Sequence, residues 1–256
     1  MDIEHAKKAF ERYLDQYDRE DDKIKLKIVH TYGVVRCMNQ ITKKMGLSKE
    51  ERKLAELIAL LHDIGRFEQL KRFGSFEPGL MDHAAYGAEI LFEEGMIREF
   101  IEDSRYDEII RMAIEKHSAY KLIGISDPCA LLHAKLIRDA DKLDNCRVKL
   151  EDAVETMLDV SAEEVGKQQI SPEVLAQVYQ KTSIDNKTRN TKMDYWVSYV
   201  AYFFDINFPE TLEIIQEHQY VDRIIRRIPY SNIDTAKKMR QIGDFVNEYI
   251  KGRISL

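Results

Sequence analysis

Histidine and aspartate side chains recur along the N-terminal 150 residues in surroundings that are otherwise apolar. Each lies within or at the end of a segment with helical periodicity. Neutral imidazole nitrogens together with carboxylate oxygens suit Fe, Mn, Zn or Co better than Ca or Mg alone. The candidate ligands, in chain order, are His30, His62, Asp63, His83, His117 and Asp141. These residue types indicate a transition-metal centre.

The adjacent pair His62 and Asp63 comes at the end of an apolar segment, LAELIALLHDIG, that begins at Leu54. We predict a buried helix here that ends at Gly65. An imidazole and a carboxylate are then carried into or near the interior, where an unpaired charge costs several kcal/mol. Adjacent helical residues project about 100° apart. Because a carboxylate has two oxygens, Asp63 can share one ion with His62 and reach toward a second.

The elements that position these residues are predicted to be helices, because no convincing alternating strand pattern is present. Ser48 with Glu51 has the pattern of a capping box, Asp82 is a candidate N-cap, and Pro128 is placed as a first-turn proline. The predicted helices include residues 22–44, 82–95, 106–118, 127 to about 148, 209 to about 227, and one from 234. A bundle of this kind can bring one ligand from each helix to a shared centre. The predicted fold class is all-α.

The domain organisation is predicted to be a single all-α domain over residues 1–256. No linker rich in Gly, Ser or Pro divides the chain, and the polar stretch 182–191 is expected to be a loop. The chemistry is expected within residues 26–148. Residues 149–256 are expected to add helices that complete the wall of the pocket.

Composition excludes several classes of function. A net charge of −6 with a pI near 5.7 argues against a dedicated nucleic-acid binder. No apolar run approaches the roughly 20 residues that span a bilayer, and the charged N-terminus does not read as a signal peptide. Three cysteines without a CxxC pair are not a disulfide framework. We therefore expect a cytoplasmic protein with no membrane partner, and the sequence leaves assembly into a homo-oligomer open.

Common catalytic motifs are also absent from the sequence. It has no Walker A loop, no GxGxxG, no GxSxG elbow and no HExxH pattern. The histidine and aspartate series is what remains to carry chemistry.

Three segments resemble the HD-domain superfamily of metal-dependent phosphohydrolases. They are HTYG at His30, LLHDIGR around His62 and Asp63, and IRDADKLDN around Asp141. That superfamily is all-helical and is defined by a His…His-Asp…Asp set of metal ligands. The ADKLDN segment is similar to the ADRLHN segment of the stringent-response alarmone hydrolases. The resemblance covers roughly residues 26–148.

Two further histidines, His83 and His117, resemble the extended ligand pattern of dinuclear members of the superfamily. This pattern is found in HD-GYP-like phosphodiesterases and in diiron oxygenases such as myo-inositol oxygenase. The sequence has no GYP motif, which weakens the cyclic-dinucleotide interpretation.

The resemblance implies a site with two divalent transition metal ions, with Fe, Mn, Zn, Co or Ni as candidates and Mg less favoured. One ion would be bound by His30, His62, Asp63 and Asp141, and the other by Asp63, His83 and His117. A metal-activated hydroxide would attack the phosphorus of a small phosphorylated molecule, with nucleotides among the candidates. Asp63 and Arg66 are the expected catalytic residues, and the Arg66 guanidinium would clamp phosphate. Lys116 and Asn145 are weaker candidates for substrate binding.

Two other functions fit the same ligand set. One is a mixed-valence diiron oxygenase of the HD type, and the other is a non-catalytic sensor that binds a nucleotide. Substrate-dependent oxygen uptake would favour the first, and tight binding without turnover would favour the second.

Several residues have simpler interpretations. Asp139 and Asp144 are rivals of Asp141 on nearby helix faces, and Asp144 is alternatively a residue that supports a ligand. We expect His5, His133 and His218 to have no role in the site, and Arg66 could instead pair with Glu68. The aromatic stripe of Trp196, Tyr199 and Phe203 is expected in the core. Lys187 and Arg189 lie in the polar loop and are weak candidates for contacts with phosphate.

Overall fold

The all-α prediction is confirmed by a computed structural model of the protein, which describes residues 1–77 and 79–255. The described residues contain no β-strand. The α-helices are α1 Ile3–Leu14, α2 Asp22–Lys44, α3 Lys49–Leu61, α4 Ile64–Phe73, α5 His83–Ala88, α6 Ile97–Phe100, α7 Asp107–Lys116, α8 Pro128–Glu151, α9 Val154–Leu158, α10 Ala162–Lys167, α11 Pro172–Tyr179, α12 Lys192–Ala201, α13 Pro209–Glu217, α14 Tyr220–Arg226 and α15 Ile233–Ile254. Across the described ranges, no helix combines the length and the apolar character that crossing a lipid bilayer requires.

The chain forms two compact units, residues 1–144 and 145–256. The boundary falls within α8 and close to the predicted end of the chemical core at residue 148. The prediction that all residues form one domain, with the C-terminal helices completing the pocket, stays a prediction.

The first unit is organised around α3, which packs against α1, α2 and α7. The second half of α3 is apolar on every side, and residues 57–61 are at most 1% exposed. A helix that is hydrophobic all round must be buried. The predicted capping box is present at its start, since Ser48 Oγ accepts from the amide of Glu51 while the Glu51 carboxylate accepts from the amide of Ser48. This central helix delivers His62 to the interior of the unit.

The prediction that this helix ends at Gly65 is wrong. The helix ends at Leu61, the chain bends at Asp63 (φ −106°, ψ 19°), and α4 begins at Ile64. Gly65 therefore lies in the first turn of α4, where a Cβ would overlap the backbone carbonyl oxygen of His83. The glycine is needed for the close approach of α4 and α5, not for helix termination.

The second unit is built on α15, which packs against α12, α13 and α14. Trp196 and Phe203 are buried in its core as predicted, whereas Tyr199 is only partly buried. The predicted helix over residues 209–227 is divided into α13 and α14, because Gln219 has a left-handed backbone conformation with φ 52°. Asp194 is fully buried and accepts hydrogen bonds from Ser171 and from the amides of residues 190 and 191, which fixes the loop before α12.

Candidate metal centre

The six predicted ligands come from five places in the first unit. His30 lies in the middle of α2, His62 and Asp63 form the bend between α3 and α4, and Asp141 lies in α8. His83 is the first residue of α5, where Asp82 is the N-cap and accepts from the amides of residues 84 and 85. His117 follows the last residue of α7. All except Asp141 are buried, and Asp141 is partly buried.

The first ligand group consists of His30, His62 and Asp141, whose candidate ligand atoms lie within 4.8 Å of one another. Nε2 of His30 lies 3.0 Å from Oδ1 of Asp141. Ligand atoms that share one ion at about 2.0–2.2 Å are separated by roughly 3 Å or a little more. The observed spacing is of that size.

The second ligand group consists of Asp63, His83 and His117, again with ligand atoms within 4.8 Å of one another. Oδ1 of Asp63 lies 3.3 Å from Nε2 of His83 and 3.5 Å from Nε2 of His117. The two Nε2 atoms are 3.2 Å apart. Three ligand atoms from α5, α7 and the bend therefore surround one small volume.

Asp63 connects the two groups. Its Oδ2 lies 3.5 Å from Nε2 of His62 and 4.0 Å from Nε2 of His30, while its Oδ1 faces the second group. Asp63 is the N-cap residue of α4, but its side chain makes no capping hydrogen bond. Both carboxylate oxygens are thus directed to the histidines.

Three imidazole rings are each held in orientation by a contact at Nδ1, the nitrogen that faces away from the ligand groups. Nδ1 of His62 donates to the carbonyl oxygen of Ala59 at 2.8 Å, and Nδ1 of His117 donates to that of Ile114 at 2.7 Å. Nδ1 of His30 lies 2.8 Å from Oδ2 of Asp144. Such bonds fix the ring tautomer and leave Nε2 as the metal ligand.

The donor set passes a direct test of its fit to a metal. Nε2 of His62 is fully buried and has no hydrogen-bond partner, although a buried polar atom is ordinarily satisfied. Since Nδ1 of the same ring donates to a carbonyl, the neutral ring directs a lone pair from Nε2 into the first ligand group. A divalent metal cation is a partner to which the Nε2 lone pair can be donated.

Asp144 contacts the nitrogen of His30 that faces away from Asp141. Asp144 is 2% exposed, and its carboxylate occupies the space that a Cβ on Gly33 would fill. Gly33 lies three residues after His30 on the same face of α2. The glycine of the HTYG segment therefore makes room for the carboxylate that orients the first ligand.

Two cationic side chains border Asp63. The Lys27 ammonium contacts Oδ2 of Asp63, and Nε of Arg66 lies 3.9 Å from Oδ1. Nη2 of Arg66 donates to Nε2 of His83 at 2.9 Å, and Nη1 donates to Oε1 of Gln69 at 2.6 Å. Gln69 is itself fully buried and donates to the carbonyl oxygen of Ser75. Arg66 is therefore held at the second ligand group by a fixed partner.

The electrostatics favour the protonation states that metal binding needs. Burial would raise the pKa of Asp63, but the Lys27 charge and the contacts with neighbouring histidines outweigh burial and hold it well below its usual value. Burial also opposes ionisation of Asp141, whereas its contact with the His30 ring lowers its pKa overall. Burial and the Arg66 charge hold the pKa of His83 well below its usual value. Both carboxylates are ionised at neutral pH, and His83 is neutral.

His62 shows the attraction of this site for positive charge. Burial would lower its pKa, but the Asp63 carboxylate more than compensates, so the pKa of His62 is raised. The carboxylates that attract a proton to this ring attract a metal cation in the same way.

The two weaker candidates have other contacts. The Lys116 ammonium pairs with the Glu115 carboxylate at 3.2 Å, and no hydrogen bond or ion pair joins it to the six predicted ligands in the described residues. Oδ1 of Asn145 accepts from Nζ of Lys149 at 3.3 Å within the second unit. A role for Lys116 or Asn145 in substrate binding stays a prediction.

The histidines that we did not expect at the site lie outside both ligand groups. Nε2 of His5 lies 3.0 Å from the carbonyl oxygen of Glu99, and His218 stacks on Tyr220. His133 is fully buried in α8, and burial lowers its pKa to about 4.

Sequence reasoning missed two basic residues that act on the ligands. Lys27 precedes His30 by three positions and so lies on the same face of α2. Arg138 is 3% exposed and donates to the carbonyl oxygens of His117 and Ala119, which holds the chain just after α7. Lys27 and Arg138 each lie three residues before a candidate ligand, His30 and Asp141, and this spacing could have indicated that they share a helix face with it. The spacing was not used because a basic residue on a helix is usually exposed to solvent.

Comparison with known proteins agrees with this geometry. The family model of the HD domain matches residues 28–146, a range that contains all six candidate ligands. Neither a comparison with curated proteins nor one with solved structures found a match.

Proposed function

We propose that this chain, which belongs to the HD-domain superfamily through residues 28–146, is a metal-dependent hydrolase of phosphoesters. Its substrate is a nucleotide or another small phosphorylated metabolite. The observation that carries the proposal is the position of Asp63. One carboxylate oxygen lies 3.5 Å from Nε2 of His62 and the other lies 3.3 Å from Nε2 of His83. A carboxylate placed in this way can hold two cations side by side.

The candidate ligands form two groups, each of which would bind one ion. His30, His62 and Asp141 would hold one, His83 and His117 the other, and Asp63 both. Fe, Mn, Zn, Co and Ni suit this mixture of nitrogen and oxygen donors. When bound, such ions supply Lewis acidity and lower the pKa of a water molecule toward neutrality.

The residues around the ligands favour an anionic substrate. Arg66 presents a guanidinium beside His83, and guanidinium groups bind phosphoryl oxygens through two parallel hydrogen bonds. Lys27 adds a second positive charge at Asp63. We propose that Arg66 binds the phosphoryl group while Gln69 holds the guanidinium in place, and that Lys27 neutralises charge next to the bridging carboxylate.

We also propose that the protein acts in the cytoplasm. The described residues form no disulfide, and a chain that keeps its cysteines as thiols suits a reducing compartment.

The test combines metal analysis of freshly purified protein with a panel of phosphoesters. We expect about two equivalents of transition metal per chain and release of phosphate or a nucleoside. Asp63→Asn removes the charge that both ions share, and it should lose both metal and turnover. Asp244→Asn is the matched control, because Asp244 is an exposed carboxylate in the second unit. It should keep both properties.

Three outcomes would contradict the proposal. Two metals retained by Asp63→Asn would refute the bridging role. Substrate-dependent oxygen uptake by the iron-loaded protein, without phosphate release, would assign the site to a diiron oxygenase. Tight nucleotide binding without turnover for every metal tested would assign it to a sensor.

A further inference from the structure

Two tyrosines of the second unit, one helical turn apart on α12, each carry a cation on the ring. Cζ of Arg189 lies 4.1 Å from the ring centroid of Tyr195, and Nζ of Lys192 lies 5.6 Å from the same ring. Nζ of Lys149 lies 4.0 Å from the ring centroid of Tyr199. Side chains at positions i and i+4 are about 5–6 Å apart at Cβ. Arg189 and Lys192 therefore share the ring of Tyr195, and Lys149 lies on the ring one turn later along α12.

These cations are partly withdrawn from water. Lys149 is 6% exposed. Burial raises the pKa of the Tyr199 phenol and the Arg189 charge opposes that rise, which shows that Arg189 acts on Tyr199 as well as on Tyr195. No ion pair joins Arg189 or Lys192 to a carboxylate in the described ranges. Arg189 and Lys192 are like charges on one ring and repel each other, so an anion bound by both would stabilise their arrangement.

The Arg189 guanidinium has a specific unsatisfied edge. Nη1 donates to Oγ of Ser198 at 3.5 Å, a long contact. Nε is buried and has no hydrogen-bond partner, and Nη2 makes no hydrogen bond within the described ranges. Nε and Nη2 together form an edge that binds two oxygens of one anion through parallel bonds. The same edge is the part of Arg189 that lacks a protein acceptor.

We propose that Arg189 and Lys192 form a binding site for the phosphoryl group of a small phosphorylated molecule. A phosphoryl group is favoured over a carboxylate because its charge of about −1.5 to −2 at neutral pH better balances these two cations. None of these residues lies within the HD domain or among the candidate metal ligands. The proposal thus goes beyond the hydrolase function, and binding can be measured without turnover.

The test is titration calorimetry of inorganic phosphate into the full-length protein after removal of metal with EDTA. Arg189→Gln should weaken phosphate binding by about tenfold or more, which is 1.4 kcal/mol. Arg240→Gln is the matched control, because Arg240 is exposed in α15 of the same unit and both the residue type and the change in charge are the same. It should shift binding by about twofold at most, as expected for a solvated charge. Equal effects of the two variants, or no binding of phosphate by the unaltered protein, would overturn the proposal.

Arg189→Lys keeps the charge but removes the planar edge of the guanidinium. If circular dichroism shows that Arg189→Gln does not fold, Arg189→Lys takes its place in the test. It should also bind phosphate more weakly than the unaltered protein. Acetate bound as tightly as phosphate would overturn the assignment to a phosphoryl group. Asp63→Asn should keep this phosphate binding even if it loses turnover, so failure of the hydrolase proposal and failure of this one give different results.

Discussion

Replacing Gly33 by alanine tests whether the carboxylate behind His30 is part of the metal centre. Gly33 is a buried residue in the interior of α2, and an added Cβ would overlap the Asp144 carboxylate. Asp144 cannot swing aside freely, because it is 2% exposed and bonded to Nδ1 of His30 at 2.8 Å. The substitution should therefore separate Asp144 from His30 without touching a metal ligand.

Opposing effects determine how much Gly33→Ala changes the free energy of unfolding. Alanine in place of glycine stabilises a helix interior by about 1 kcal/mol. Overpacking a filled site costs about 1–3 kcal/mol, and losing a hydrogen bond to a charged group costs about 1.5–3 kcal/mol. The sum predicts a net destabilisation of about 1.5–5 kcal/mol for Gly33→Ala. Loss of a residue that orients a ligand should also weaken metal binding by about 10–100-fold.

Urea denaturation and metal titration measure the two effects. The control is Gly252→Ala in α15, where a Cβ meets no atom within 4 Å. This variant should be unchanged in metal affinity and stabilised by at most about 1 kcal/mol. If Gly33→Ala behaved like Gly252→Ala in both assays, the role assigned to Asp144 would be wrong.

Two further substitutions test the packing and the buried charges of the first unit. Gly65→Ala places a Cβ against the backbone of His83 and Gly87, which cannot yield as a side chain can, and should cost about 3 kcal/mol in urea denaturation. Equal stability of this variant and Gly252→Ala would show that α4 and α5 can move apart. His133→Leu tests the pH dependence of stability. The pKa of His133 is about 4 in the folded protein and about 6.5 in the unfolded chain. Because the unfolded chain binds the proton first, the free energy of unfolding falls as the pH drops from about 6.5 toward 4. Between pH 7 and pH 5 this histidine alone should account for about 2 kcal/mol of lost stability, and the variant should lose that much less in unfolding measured at both values.

Helix starts could be predicted well from the sequence because their chemistry is local. The capping box at Ser48 and Glu51 and the N-cap at Asp82 satisfy amides two or three residues away. The breaks inside apolar segments could not be predicted. Gly65 has the composition signal of a helix end, but its glycine serves the contact between two helices. The break at Gln219 has no nearby glycine or proline to signal it.

The candidate ligands could be found from their types and order, but their supporting residues could not. Asp141 and Asp144 lie three positions apart on one face of α8. The sequence analysis chose Asp141 as the ligand through the family resemblance and left the role of Asp144 open. In the structure the two carboxylates contact opposite nitrogens of His30, Nε2 and Nδ1 respectively. Lys27 and Arg138 were overlooked because only burial distinguishes them from solvated basic residues.

The contact between His83 and His117 gives a physical reason why the second ligand group needs a cation. Nδ1 of His117 donates to a carbonyl oxygen, so its neutral ring has no proton on Nε2. Nε2 of His83 accepts from Arg66, so it too acts as an acceptor. Two acceptor nitrogens 3.2 Å apart repel each other, and burial together with the Arg66 charge lowers the pKa of His83 and disfavours a proton as the remedy. A metal ion bound by both nitrogens and by Asp63 would turn this repulsion into coordination, and the helices that hold the rings in place make the site ready to receive it.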